Sequence, residues 1–131
     1  MFVSLHATSN LFSNFYVFTA DLRNWASARQ ICIDLGGRLM EVRTQEDYDR
    51  ALQLSLQIGR FWLGGSDIQE EGVWVWNSNN EQMNMNQFWY RASEPDGGTD
   101  QNCLMFFNHN SVAGSLSSVC GNAKKFACEI N

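Results

Sequence analysis

The stretch NWASARQICIDLGGRLMEV, residues 24–42, decides the fold. Asn24 carries a side-chain oxygen suited to capping a helix, and Trp25, Ala28, Cys32 and Leu35 follow at spacings of three, four and three, which is one helical face. Gly36-Gly37 then supplies a positive-φ stop. The pattern predicts a helix over 24–35, and the run from Arg38 to Val42 reads as a strand directly after it.

Downstream, Thr44 with Asp47 three residues later resembles a capping box, Tyr48, Leu52 and Leu56 share a face, and Gly59 ends the run. A second helix is therefore expected over 45–57. Strand-type runs surround the pair: Phe15 to Thr19, Phe61 to Gly64, the alternating Val73 to Trp76, Cys103 to Phe107 and Phe126 to Ile130. Helices come early and strands dominate later, which argues for α+β rather than a wound βαβ chain. Between Asn77 and Asn102 lies a long Asn-, Gln- and Gly-containing stretch interrupted by Phe88-Trp89-Tyr90. Loops of that length are usually functional or disordered, and three consecutive aromatics argue for order.

The 131 residues, 44% hydrophobic and 18% charged, suit one compact domain with one core. Residues 1–10 read as an N-terminal arm and 11–131 as the domain. Nine basic against 14 acidic residues give a net charge of -5, so a nucleic-acid backbone or an anionic membrane surface is not the expected partner. No stretch is long and apolar enough to span a membrane, and MFVSLHATSN lacks the basic and apolar regions of a signal peptide, so a mature, soluble chain is expected. There is one proline, Pro95, and no repeat or low-complexity run.

Cys32, Cys103, Cys120 and Cys128 form an even set without the Cys-x-x-Cys spacing of a zinc or redox site. Two disulfides are expected. Three pairings are open on spacing alone, and the nested one encloses a long and a short loop, each worth about 3 to 5 kcal/mol on the chain-entropy argument. Disulfides imply an oxidising, secreted setting.

These residues, taken together, carry a resemblance. NWASARQICIDLGGRLMEV, then FWLGGSD, VWVW, EPD, NCLMFF and the closing FACEIN stand in the order of the C-type lectin domain, in its short form with two disulfides, from about Leu11 to Asn131. The resemblance implies a double-loop α+β fold of two helices and antiparallel strands, closed by Cys32–Cys128, with Cys103–Cys120 bracing a functional loop. It makes the Trp62-Leu63-Gly64-Gly65 run a core strand, and Trp25, Trp74 and Trp76 core residues. It further implies a soluble lectin of the invertebrate type, working in innate recognition.

In that family one calcium ion holds the long loop and coordinates two sugar hydroxyls. Its ligands come from a Glu-Pro-Asn or Gln-Pro-Asp triplet, a Glu before the third cysteine and a Trp-Asn-Asp triplet before the fourth. Calcium needs six to eight hard oxygens. Here Glu94-Pro95-Asp96 matches the first triplet, and Pro95 corresponds to the family's cis proline, which would aim both carboxylates into one cavity. Gln101 stands where the Glu belongs, with Asp100 as a displaced partner. Ser115-Leu116-Ser117 replaces Trp-Asn-Asp and offers no carboxylate. If calcium binds at all, the ligands left are Glu94, Asp96 and Gln101; the expectation is no cofactor. Of an auxiliary calcium site, Asp67 and Glu71 match acidic positions, Gly97 and Asn102 replace the others, and Asp67 and Glu71 read as turn and surface residues.

The function expected is therefore glycan binding without calcium, with a protein-binding or structural domain that has lost sugar binding as the alternative. The chain has no Gly-x-Ser-x-Gly, His-Glu-x-x-His or phosphate loop, and its histidines are His6 and His109 only, so an enzyme is not expected. The carbohydrate-binding candidates are Glu94, Asp96, Asp100, Gln101, Asn102 and His109. Ionised Glu94 and Asp96 only accept hydrogen bonds, which favours a ligand dense in donors. An N-acetylated hexosamine, GlcNAc or GalNAc, offers an amide N–H beside hydroxyls. Asn102 or Gln101 could donate to its acetamido oxygen, and Phe106, His109, Trp89 and Tyr90 are candidate walls for its methyl. With all four cysteines paired, any oligomer would be non-covalent.

Overall fold

The structure, a computed structural model, describes residues 13–130 and the backbone of Phe2–Ser4. His6 and most of the N-terminal arm lie outside the described residues. The order is β1 (Phe2–Ser4), β2 (Phe15–Arg23), α1 (Trp25–Asp34), β3 (Gly37–Leu39), α2 (Gln45–Ile58), β4 (Phe61–Ser66), β5 (Val75–Trp76), β6 (Glu81–Gln82), a single 3-10 turn (Gly98–Asp100), β7 (Cys103–His109), β8 (Val112–Ser118) and β9 (Lys124–Ile130). This is the expected α+β arrangement of two helices and largely antiparallel strands.

Both helices start where their caps require. Asn24 accepts from the Ser27 amide at 2.9 Å, and Thr44 and Asp47 form a complete capping box. Gly59, with φ of 82°, ends α2 by returning its N–H to the Ser55 carbonyl. Glu46 and Asp47 lie in the first turn of α2, where the helix dipole favours negative charge.

Strand β9 is the hub of the sheet. It pairs antiparallel with β2 and β3 and touches β4 in parallel through Trp62 and Phe126. Cys32 on α1 is bonded to Cys128 on β9, and Cys103 at the start of β7 is bonded to Cys120, the nested pattern. Two apolar clusters lie on either side of the β4–β7 pair. One gathers Phe15, Trp74, Trp76, Leu104 and Phe106 under α2; the other gathers Trp25, Cys32, Trp62, Met105 and Phe126 under α1. Two of the buried indoles have partners for their N–H groups: Trp25 donates to the Leu63 carbonyl at 2.8 Å and Trp62 to the Arg23 carbonyl at 2.9 Å, whereas the Trp89 N–H is buried without a partner.

Besides β3, which stops at Leu39 short of Val42, the unexpected β6 and shifts of a residue or two at other strand ends, three elements depart from the sequence reading. Strand β2 runs on to Arg23 because β9 pairs with it as far as Lys124, past a register shift. Only Val75 and Trp76 of the alternating run enter the sheet. The third departure matters most, because the small, polar segment after Asn110 reads as loop yet forms β8, paired with β7 from Cys103↔Ser118 to His109↔Val112. The turn is two residues, Asn110 and Ser111, with φ of 51° and 65°, the left-handed pair a tight hairpin needs. Tertiary pairing overrides propensity here.

The long stretch between Asn77 and Asn102 is anchored on β8. The Tyr90 amide donates to the Ser115 carbonyl at 2.8 Å, and the Ser115 amide donates to the Phe88 carbonyl at 2.7 Å. A parallel bridge joins Trp89 and Ser115. Gly114 makes this approach possible, since a Cβ there would sit 2.5 Å from the Trp89 carbonyl carbon and the Tyr90 amide nitrogen. Replacement Gly114→Val should therefore push the 88–90 segment off β8. The expected cost is about 1–3 kcal/mol, as for overpacking elsewhere, read as a lowered melting temperature with faster amide exchange at Tyr90 and Ser115.

Candidate functional site

Glu94 is the best-held of the candidate residues. The Glu94–Pro95 peptide is cis. Its amide donates to the Arg91 carbonyl at 3.0 Å, and its half-buried side chain reaches β8. There the Ser117 amide donates to Glu94 Oε1 at 3.3 Å, and the Ser117 hydroxyl lies 3.4 Å from the same oxygen. That hydroxyl also lies 3.2 Å from Gln101 Oε1, and its single proton serves one acceptor at a time. Burial raises the Glu94 carboxyl above its ordinary range, the nearby Asp96 charge pushes the same way, and the Ser117 donors and Arg91 oppose it.

The expectation that Glu94 and Asp96 point into one cavity is not met. Glu94 lines a cavity of about 390 Å³ with Met85, Asn86, Phe88, Trp89 and Arg91. Asp96 is exposed and lines a different one, of about 350 Å³, with Asp67, Glu71, Trp74 and Pro95. Ser117 draws Glu94 toward β8, whereas Asp96 opens the 97–100 turn, which packs back toward Asp67; Gln101 lies over Gly97 so closely that a Cβ there would sit 2.0 Å from it.

The remaining candidates are dispersed. Asp100 is exposed and its charge acts on Glu71, so it belongs to the Asp67 side and not to Glu94. Asn102 uses its amide on the Thr99 carbonyl at 3.0 Å and its own carbonyl on the Asp67 amide at 3.0 Å. His109 is at the far end of β7, paired with Val112, five positions along β8 from Ser117. At about 3.4 Å per residue that is some 17 Å from Glu94's anchor, so His109 does not wall the Glu94 cavity. Phe106 cannot wall it either, being fully buried between Tyr48 and Phe61. Trp89 does line it, while Tyr90 turns to Phe107, with ring centroids 5.2 Å apart.

Sequence reasoning missed Ser117 and Arg91. Ser117 looked like the loss of a ligand; only the β8 register shows that it replaces a metal contact with two hydrogen-bond donors. Arg91 gave no signal beyond being a lone cation three residues before Glu94.

The donor set was compared with the calcium ion implied by the fold. At Glu94 it does not fit: the carboxylate faces an N–H and an O–H, and Leu116, in the place of an oxygen ligand, packs into the core beside Met105. Among the described residues no three His, Cys, Asp or Glu converge as a metal cluster. Asp67 corrects its own expectation, because it is 2% exposed and no surface residue. Its Oδ2 accepts from the Gly72 amide at 2.9 Å, but Oδ1 is buried without a partner, as is Asn102 Oδ1. Partial desolvation, then a hydrogen bond that protonated Glu71 donates to Asp67, then the Asp67 and Asp100 charges, hold the exposed Glu71 above its ordinary range.

Comparison with known proteins accords with this fold and this pattern. The family model for the Lectin C-type domain matches residues 21–130. The chain is 30% identical over 95 residues to the C-type lectin mosGCTL-7 of Aedes aegypti, covering 68% of this chain and 62% of that protein. It is 27% identical over 118 residues to the CD209 antigen of Homo sapiens, covering 88% of this chain and 28% of that one. The match thus spans under two thirds of either relative. Among solved structures, the C-type lectin domain of murine dendritic cell inhibitory receptor 2 in complex with N-glycan superposes with a TM-score of 0.77 at 14% identity, covering 89% of each chain. A calcium-independent type II antifreeze protein superposes with a TM-score of 0.69 at 18% identity, covering 87% of this chain and 82% of that one. With two nested disulfides, two capped helices and a family match over all but the ends of the sequence, the chain belongs to the C-type lectin domain family.

Proposed function

We propose that this domain is a secreted, calcium-independent lectin whose Glu94 cavity binds N-acetylated hexosamines on glycans, and that it catalyses no reaction. The observation that carries this reading is the contact of Ser117 with Glu94 Oε1, through an amide donor at 3.3 Å and a hydroxyl at 3.4 Å that it shares with Gln101. They hold the carboxylate in place without a metal, while Arg91 provides the compensating charge on the cavity wall. Oε2 is then the acceptor for a sugar hydroxyl or acetamido N–H, a charge-assisted bond. Arg91 and Asn86 are donors for the acetamido oxygen, and Trp89, Phe88 and Met85 supply apolar surface for its methyl. The cavity thus sets three polar side chains, Asn86, Arg91 and Glu94, beside apolar ones. The two disulfides support an extracellular location. Among the described residues no helix is long and apolar enough to cross a membrane.

The fold also occurs in a calcium-independent antifreeze protein and in a lectin domain bound to an N-glycan, so fold alone does not choose between these uses. Inhibition by GlcNAc and GalNAc, tested in a competition assay with chelator present, should exceed that by mannose and glucose. Equal inhibition by mannose, or none by any sugar, would leave the protein-binding alternative. Ligand affinity should be unchanged by added calcium. A calcium-dependent rise in melting temperature without a change in affinity would place the ion at Asp67 and Asn102, not at Glu94.

The pH dependence follows from the raised Glu94 carboxyl. Binding needs its ionised form, so affinity should be full at neutral pH and fall on acidification, beginning above the ordinary glutamate range. In Glu94→Gln, affinity at neutral pH should drop about tenfold, as for loss of a hydrogen bond to a charged group, and the acid limb should vanish. A titration of affinity against pH for both proteins checks this.

A further inference from the structure

The acidic residues of this chain are unevenly placed. None occurs between Asp49 and Asp67, and none between Asp100 and Glu129. Strands β4, β7 and β8, and β9 up to Cys128, are drawn from those two segments and lie side by side in the sheet. Folding therefore collects a sector poor in carboxylates in a chain whose net charge is -5; Asp21, on the neighbouring β2, is already paired with Arg23.

That sector carries cations with no counter-ion. Among the described residues Arg23, Arg38, Arg43 and Arg50 each make a salt bridge to Asp or Glu. Arg29, Arg60, Arg91, Lys124 and Lys125 make none, and of these Arg60, Lys124 and Lys125 together line an open cavity of about 550 Å³ with Leu22, Ile58 and Asn122. Lys125 donates to the Ile58 carbonyl at 2.8 Å, which fixes it on the last turn of α2. Arg60 lies over the Phe107 ring at 5.0 Å and Lys124 over the Trp62 ring at 5.1 Å. Burial, and secondarily repulsion from Arg60, lower the Lys124 ammonium from its ordinary range.

We infer that this face is a second binding site, for a sulfated or uronate-bearing polysaccharide held through Arg60, Lys124 and Lys125. Three cations around one cavity suit the closely spaced oxyanions of such a chain, and the guanidinium fork of Arg60 matches a sulfate or carboxylate. The favoured ligand is a polysaccharide and not a single-stranded nucleic acid because of the rings. Nucleic-acid binding to such a groove relies on open aromatic faces for base stacking. Here Phe107 lies between Arg60 and a stacked His109, with centroids 5.9 Å apart, and Trp62 is fully buried under Lys124. Charge is on offer and stacking is largely taken. The inference does not depend on the Glu94 cavity, whose lining shares no residue with this one.

The test is calorimetric titration of the whole protein with a heparin octasaccharide at about 50 mM and about 200 mM salt. Binding should weaken about tenfold or more between the two, as expected for release of counter-ions from about three contacts. The double variant Arg60→Gln, Lys124→Gln should lose binding at least tenfold, with an unchanged circular dichroism spectrum and unchanged GlcNAc inhibition. Free GlcNAc should not compete with heparin. Absence of binding at low salt, undiminished binding by the double variant, or equally tight binding of an oligodeoxynucleotide of the same charge would each overturn the proposal. Should the double variant fold poorly, Lys125→Gln alone with the salt series provides the same discrimination.

Discussion

Strand β9 is held on three sides, by β2, by β3 and by the parallel contact of Phe126 with Trp62, and the Cys32–Cys128 bond ties it to α1. It brings the end of the described chain back to its beginning. The bond closes a separation of 96 residues, so in the unfolded state it removes a large share of the chain's freedom. Because both ends of the domain are fixed there, the long segment from Asn77 to Asn102 is free to be irregular. Apart from the two-residue β6 and the Trp89–Ser115 bridge, the ladders of the sheet lie outside it.

The same economy appears in the ion pairs. Glu41 is 2% exposed, and Arg38 and Arg43 both converge on its Oε1, at 3.2 and 2.8 Å, while Arg43 continues outward to Glu81 on β6. A buried carboxylate is tolerated when cations meet it, and this one links the β3 region to the edge of the sheet. Charge is thus matched around Glu41 and left unpaired at Arg60, Lys124 and Lys125. The division follows from where the acids fall in the sequence, though only the pairing of β4 with β7 and of β7 with β8 turns two acid-free segments into one surface.

The fold was legible because its signals are local and strong. The helix caps at Asn24 and Thr44, the Gly36 and Gly59 stops, and the four cysteines each constrain the backbone or the topology directly. Strand β8 was illegible because its residues, Gly114, Ser115, Ser117 and Ser118 among them, are chosen by what lies over them and not by strand preference. The site suffered the same blindness. Glu94 could be singled out from its triplet, but its partner Ser117 sits on that unread strand. Pairing Glu94 with Asp96 followed from the family's cis proline, and that peptide is cis, yet Glu94 turns to Ser117 while Asp96 lines the cavity of Asp67 and Glu71. His109 reads as a wall because the segment after it passes the calcium position in the family, yet along β7 the chain carries it to the opposite end of the hairpin from Ser117.

The short parallel seam between Trp89 and Ser115 has a further meaning for the behaviour of the molecule in concentrated solution. Strand β8 has β7 on one side only, and its other flank would be a row of open backbone donors and acceptors, a template for strands of another copy. The Phe88–Tyr90 segment occupies that flank over Gly114. The loop that shapes the Glu94 cavity is thereby also the guard of the sheet's border, so loosening it exposes a surface on which the protein could assemble with itself.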